Sequence, residues 1–156
     1  RQEELGKRVR NFNWQGQHLD VKIELRHNQL EIFQKNRHYV MKDVNANVSY
    51  NYLEYSKSIG LIPSTIETML IGANEQVYQR ILTSCSHVTE LRVHLFDDFQ
   101  FDGFAEYTVD DFRLYIPSQN IYWFTVDHMC ALINCRSVLV YHINWESEDF
   151  NEFLRF

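Results

Sequence analysis

Between residues 19 and 25 the chain alternates, with Leu19, Val21, Ile23 and Leu25 apolar and Asp20, Lys22 and Glu24 charged between them. A period of two sends neighbouring side chains to opposite faces, so this segment predicts a strand with one face buried. His27-Asn28-Gln29 reads as a turn, after which Leu30-Glu31-Ile32 resumes the alternation. Asn36-Arg37 predicts a second turn before an extended run over Tyr39–Val44, and Val48, Tyr50 and Tyr52 alternate once more. Residues 18–63 therefore predict an antiparallel β meander of three or four strands. Ser56–Pro63, punctuated by Gly60 and Pro63, predicts the linker that closes it.

From residue 64 the pattern changes. Four segments share an apolar spacing of Φ-x-x-Φ-x-Φ: Ile66/Met69/Ile71, Val88/Leu91/Val93, Val109/Phe112/Leu114 and Cys135/Val138/Val140. Their starts lie 22, 21 and 26 residues apart, within the period of about 20 to 29 residues of leucine-rich repeats, in which each unit is a strand plus a returning segment. Three intervening stretches predict helices. Asn74 can cap one through about Ser84, with Val77, Ile81 and Leu82 on one face. Thr125 can cap another carrying Val126, Met129, Cys130 and Ile133, and Ser147 a third carrying Phe150, Phe153 and Leu154. Strand, helix and strand at this spacing predict parallel pairing with the helices on one face. The connector Asp97–Glu106 lacks helical periodicity and predicts a loop anchored by Phe99, Phe101 and Phe104. The fold expected is α/β, an N-terminal antiparallel meander followed by a leucine-rich-repeat-like βα solenoid with a parallel sheet over 64–156. Phe156 falls inside an apolar helical stripe with no Gly or Asn to end it, which predicts a repeat truncated at the C-terminus.

Composition narrows the function classes. The 156 residues are 45% hydrophobic, with 11 Phe, 9 Tyr and 3 Trp, enough for one core. A formal charge of −6 opposes a phosphate backbone, so nucleic acid is not an expected partner. No apolar run approaches the roughly 20 residues of a membrane span, so no membrane partner is expected. Three cysteines at irregular spacing do not read as a disulfide framework, and a cytoplasmic or nuclear location is expected.

Candidate chemistry is thin. The seven histidines show no H-x-x-x-H spacing, no C-x-x-C accompanies them, and His94 and His142 fall on expected strands, so they read as structural. Cys130 and Cys135 have no visible base or electropositive setting and read as core. Asp97, Asp98 and Asp102-Gly103 lack the spacing of a calcium loop. No cofactor, no metal and no catalytic residue is expected, which sets aside a small hydrolase or metal enzyme.

Trp123–Tyr141, containing Asn134-Cys135-Arg136-Ser137, and Glu148-Asp-Phe-Asn-Glu-Phe-Leu154 resemble the F-box-associated domain (type 2) of nematode F-box proteins. In that family an N-C-x-S turn leads into a strand and an E-D-hydrophobic-N-x-F-L helix follows. Leu5-Gly6-Lys7-Arg8-Val9-Arg10 is similar to the last turn of an F-box helix, so residues 1–17 are expected to be the end of that helix and a linker. The resemblance implies that an F-box upstream would bind Skp1 and a cullin. This domain would then recognise target proteins for the ubiquitin ligase, without being an enzyme. A free-standing repeat-type interaction scaffold is the alternative.

If the repeats align, the strands turn three lateral rows to an open face: Thr68/Glu90/Asp111/Ser137, Leu70/Arg92/Arg113/Leu139 and Gly72/His94/Tyr115/Tyr141. Leu70, Arg92, His94, Arg113, Tyr115, Leu139 and Tyr141 are the expected protein-binding residues, being types that concentrate at interface centres. Arg92 and Arg113 side by side would suit a carboxylate-bearing partner. A solvated sheet balanced by Glu90 and Asp111 explains the same residues without a partner.

Overall fold

A computed structural model describes residues 19–34, 36–96, 99–116 and 123–156. The expected F-box end at Leu5–Arg10 and the pair Asp97-Asp98 lie outside these residues. One mixed sheet of seven strands runs in the order β3-β2-β1-β4-β5-β6-β7. Its strands are β1 (Asp20–Glu24), β2 (Gln29–Gln34), β3 (Arg37–Met41), β4 (Thr65–Leu70), β5 (Glu90–Leu95), β6 (Asp111–Tyr115) and β7 (Ser137–Tyr141). The first three pair antiparallel, as the alternation predicts. From β1 onward through β4 to β7 every pairing is parallel. Because β1 pairs with both β2 and β4, the two halves of the sequence share one sheet and one core.

The expected fourth strand is instead a helix, α1 (Ala46–Ser58). Asn45 caps it, its side chain accepting a hydrogen bond from the Val48 backbone at 3.0 Å. The buried positions are Ser49, Tyr52, Leu53 and Ser56, spaced i, i+3, i+4 and i+7. Two of these four are serines, so the helical stripe is invisible to a reading of apolar residues. The expected linker shrinks accordingly. Gly60, at φ 77°, ends α1, with the backbone N–H groups of Leu61 and Gly60 donating to Ser56 and Lys57 carbonyls in a Schellman closure.

Asn74 caps α2 (Glu75–Ser84), and Val77, Tyr78, Ile81 and Leu82 are buried. Thr125 caps α3 (Val126–Ala131). The last helix, α4 (Ser147–Arg155), starts from Glu146 rather than Ser147, because Glu146 and Asp149 form a reciprocal capping box. No residue of α4 is buried; Phe150 and Phe153 lie beside Trp145, with ring centroids 5.3 and 5.9 Å away. Between β5 and β6 the core is covered by loop aromatics. Phe99, Phe101, Phe104 and Tyr107 are all buried, and the Tyr107 hydroxyl donates to the Leu82 carbonyl at 2.8 Å. Gly103 is needed there, since a Cβ would sit 2.5 Å from the Phe101 ring.

One register differs from the expected repeat. Leu91 pairs with Ile66, not with Met69, so β4 is displaced by three residues from the spacing template. An odd displacement exchanges the two faces of a strand. Thr68 and Leu70, expected on the open face, are fully buried, whereas Met69 and Glu67 face outward. Leu70 is therefore not a binding residue but part of the core. Replacing it with Ala should cost about 2–5 kcal/mol. Leu139→Ala, 43% exposed on β7, should change stability by less than about 0.5 kcal/mol. Urea denaturation of the two variants checks the assignment, and a reversed order would restore the template register.

Candidate interaction face

All the sheet's core residues point to one side, against α1, α2 and the aromatic loop, and the opposite side carries a complete second set of side chains. Among the described residues no helix packs on it. The pairings define three rows. The first runs Asp20, Thr65, Glu90, Asp111 and Ser137, continuing through Phe33 to His38. The second runs Val40, Glu31, Lys22, Glu67, Arg92, Arg113 and Leu139 across all seven strands. Gln29, Glu24, Met69, His94, Tyr115 and Tyr141 make the third.

Of the seven expected binding residues, Arg92, His94, Arg113, Tyr115, Leu139 and Tyr141 are brought together here. Reading from the sequence missed Glu67, Met69 and Lys22. Glu67 and Met69 were hidden because β4 buries polar Thr68 and turns apolar Met69 outward, whereas Lys22 was readable from the alternation of residues 19–25.

Parallel in-register strands hold the third row as a ladder of rings. His94 stacks on Tyr115 at 4.4 Å and 4°, and Tyr115 on Tyr141 at 4.5 Å and 9°. These separations match the strand spacing of about 4.8 Å, so each ring needs only its ordinary upright rotamer to meet the next. The charges in the other rows are answered locally. Arg113 forks Asp111 through Nη2 and Nε at 3.0 and 3.3 Å, and Arg92 lies 3.7 Å from Glu90. Glu67 meets His94 Nε2 at 3.4 Å and Lys22 Nζ at 3.8 Å. The His94 hydrogen bond, above all, lowers the Glu67 carboxyl pKa against the opposing effect of burial, with the charges of His94, Lys22 and Arg92 assisting.

Other clusters with a chemical look resolve into structure. His128 Nε2 lies 2.8 Å from Asp102, and its Nδ1 lies 2.9 Å from the Thr125 hydroxyl, the order of a hydrolytic triad. The Thr125 backbone N–H already donates to that Nδ1 at 3.1 Å, so the ring caps α3 and ties it to the aromatic loop. Cys85 is buried and its thiol pushed up to about 12 by desolvation. Cys135 packs at the core edge, and Cys130, only partly buried on α3, is likewise shifted away from the thiolate. His142 lies just past β7 at φ 64°, not on a strand. A cleft of about 210 Å³ at the ends of β1 and β4 is lined by Asn28, Asn45, Gly72 and Asn74 among others. Asn45 and Asn74 spend their side-chain oxygens on the backbone of their own helices. Among the described residues no three of His, Cys, Asp and Glu are placed to hold a metal ion. No helix there is long and apolar enough to cross a membrane.

Tyr115 is the middle rung, so Tyr115→Ala deletes two stacks and Tyr141→Ala one. At about 0.5–1.5 kcal/mol per stack, urea denaturation should find the first variant the less stable. The Glu67 carboxyl, lowered in the folded state, contributes stability above the ordinary carboxylate range and loses it as pH falls through the lowered value. Glu67→Gln should therefore flatten the decline in melting temperature between neutral pH and about pH 3. The difference should stay below about 1 kcal/mol, because the pair is partly exposed.

Compared with known proteins, the chain matches no family model, no curated protein and no solved structure, so its function is read from the chemistry of this face.

Proposed function

We propose that this chain is the substrate-recognition domain of an F-box protein, a non-catalytic module that presents target proteins to a Skp1–cullin ubiquitin ligase. The observation that carries the binding reading is the open face. It places Arg92, Arg113, His94, Tyr115, Tyr141 and Leu139 on consecutive parallel strands, residue types that supply much of the energy at protein interfaces. The link to ubiquitin ligation rests on the resemblance. In its support, Asn134-Cys135-Arg136-Ser137 leads into β7 and Glu148–Leu154 lies in α4, the turn, strand and helix order that the F-box-associated domain is expected to have. We read β4 to β7 as leucine-rich-repeat-like units, since successive strands are lateral neighbours and their returning segments all lie on one side. Solenoids of that kind commonly bind through the sheet face the returning segments leave free.

The 156-residue chain alone should not retain Skp1, whereas the same chain preceded by an F-box should co-purify with Skp1 and a cullin. In that longer protein, replacing Tyr115 and Tyr141 with Ser should cut capture of the target by about tenfold or more and leave Skp1 bound. Quantitative mass spectrometry of both purifications checks this. Absence of Skp1 would leave a free-standing interaction scaffold, and target capture indifferent to the ladder would move the binding surface off the sheet.

A further inference from the structure

We infer that the outer edge of β7 takes up an extended segment of a partner protein as an eighth strand, its centre apolar and its basic ends set against Asp127, Glu148 and Glu152. This surface is separate from the open face, and the inference does not depend on the reading given to that face.

The backbone comes first. The Ser137 N–H donates to the Asp110 carbonyl on the β6 side, so by alternation the N–H and C=O groups of Val138 and Val140 point the other way. Among the described residues no strand meets them there. Edge strands are ordinarily guarded by charged side chains or proline. The opposite edge, β3, carries Arg37 and His38, whereas β7 reads Ser-Val-Leu-Val-Tyr and has neither guard. The core is also open at this end. Phe112 and Leu114 of β6 are buried, but Val138 and Val140, their register partners, are only half-buried. Ile133, shortly before β7, and Leu154 on α4 are 68% and 80% exposed, and Phe150 and Phe156 are exposed as well.

Charge then selects the occupant. The helices α3 and α4 pack against each other. With their caps they carry the carboxylates Asp127, Glu146, Glu148, Asp149 and Glu152, against the permanent cations Arg155 and, in the turn before β7, Arg136. Glu146 and Asp149 are held in their capping box. Among the described residues Asp127, Glu148 and Glu152 have no ion-pair partner. Asp127 and Glu152 also converge, since both stand close enough to Cys130 to act, after desolvation, against its ionisation. Carboxylates gathered without counter-ions steer a cationic ligand towards them. β7 itself is uncharged and the carboxylates lie on the helices around it, so the ligand's cations belong at its ends. A second copy of this chain fits the edge but not the charge, because a two-fold contact sets the same carboxylates against one another. A basic-ended strand satisfies both, its main chain supplying affinity and its side chains specificity.

The test is NMR titration of the isotope-labelled chain with three peptides of about ten residues. The first has a valine and leucine centre flanked by lysines, the second has glutamate for lysine, and the third is the lysine peptide with its central backbone nitrogens methylated. The lysine peptide should shift the amides of Val138 and Val140 and bind about tenfold or more better than the other two. Glu148→Gln with Glu152→Gln, both on the exposed side of α4, should weaken it about tenfold and leave the melting temperature near that of the parent. Val140→Pro removes an outward donor and spares the ladder to β6, so it should abolish binding. Preference for the glutamate peptide, equal binding of the methylated one, or silence of the edge towards all three would overturn the inference. Sedimentation of the chain alone gives the remaining outcome: a dimer that Val140→Pro dissociates would put a second copy on this edge and overturn the basic partner.

Discussion

Strand β1 is hydrogen-bonded on both sides, antiparallel to β2 and parallel to β4, and the sheet is built outward from it in both directions. That double pairing fixes which way every other element must face. Val21 and Ile23 are only 2% and 0% exposed, so β1 commits one face of the whole sheet to the core. Ile32, Ile66, Leu91 and Phe112 follow on that side by register. With the apolar load gathered there, α1, α2 and the aromatic loop all pack on it, and the other face is left to polar and aromatic side chains. The surface that we read as functional is thus the residue of a packing decision made at a central strand.

The two faces hold together by different physics. The covered side depends on area removed from water and on rings meeting edge to face, the Phe104 centroid lying within 5.9 Å of those of Phe101, Tyr107, Phe112 and Phe124. The open side depends on register. Its stacked rings and its ion pairs along and across strands are each weak in water, and they exist because parallel pairing sets like positions side by side. Such a face can lose a pairing to a partner at small cost, whereas the core cannot.

Several elements are legible in the amino-acid sequence alone. Asn74 and Thr125 mark α2 and α3 because a capping side chain stands directly before an apolar stripe. The rows through Arg92/Arg113/Leu139 and His94/Tyr115/Tyr141 come out correctly because the spacing template coincides with the true register of β5, β6 and β7, and β5 and β6 also alternate cleanly. Two readings fail for one reason, polar residues at core positions. α1 buries Ser49 and Ser56, which leaves Val48, Tyr50 and Tyr52 to imitate a strand. β4 buries Thr68 and exposes Met69, so the apolar template settles three residues out of frame and carries Leu70 to the wrong side. What a hydrophobic pattern encodes is burial of carbon, and where small hydroxyl side chains fill the core it falls silent.

The double pairing of β1 also bears on the order in which the chain comes together. The β1–β2 hairpin joins residues that are near neighbours, Glu24 and Gln29 closing it, and β4 to β7 each meet the strand just before or after them in the sequence. The β1–β4 ladder, Asp20 with Thr65 at its start, must instead wait for an intervening strand pair and a helix to be reeled in. Contacts between distant residues carry a loop-closure entropy that local ones do not. The seam beside β1 is therefore where chain topology, more than side-chain chemistry, sets the pace of folding.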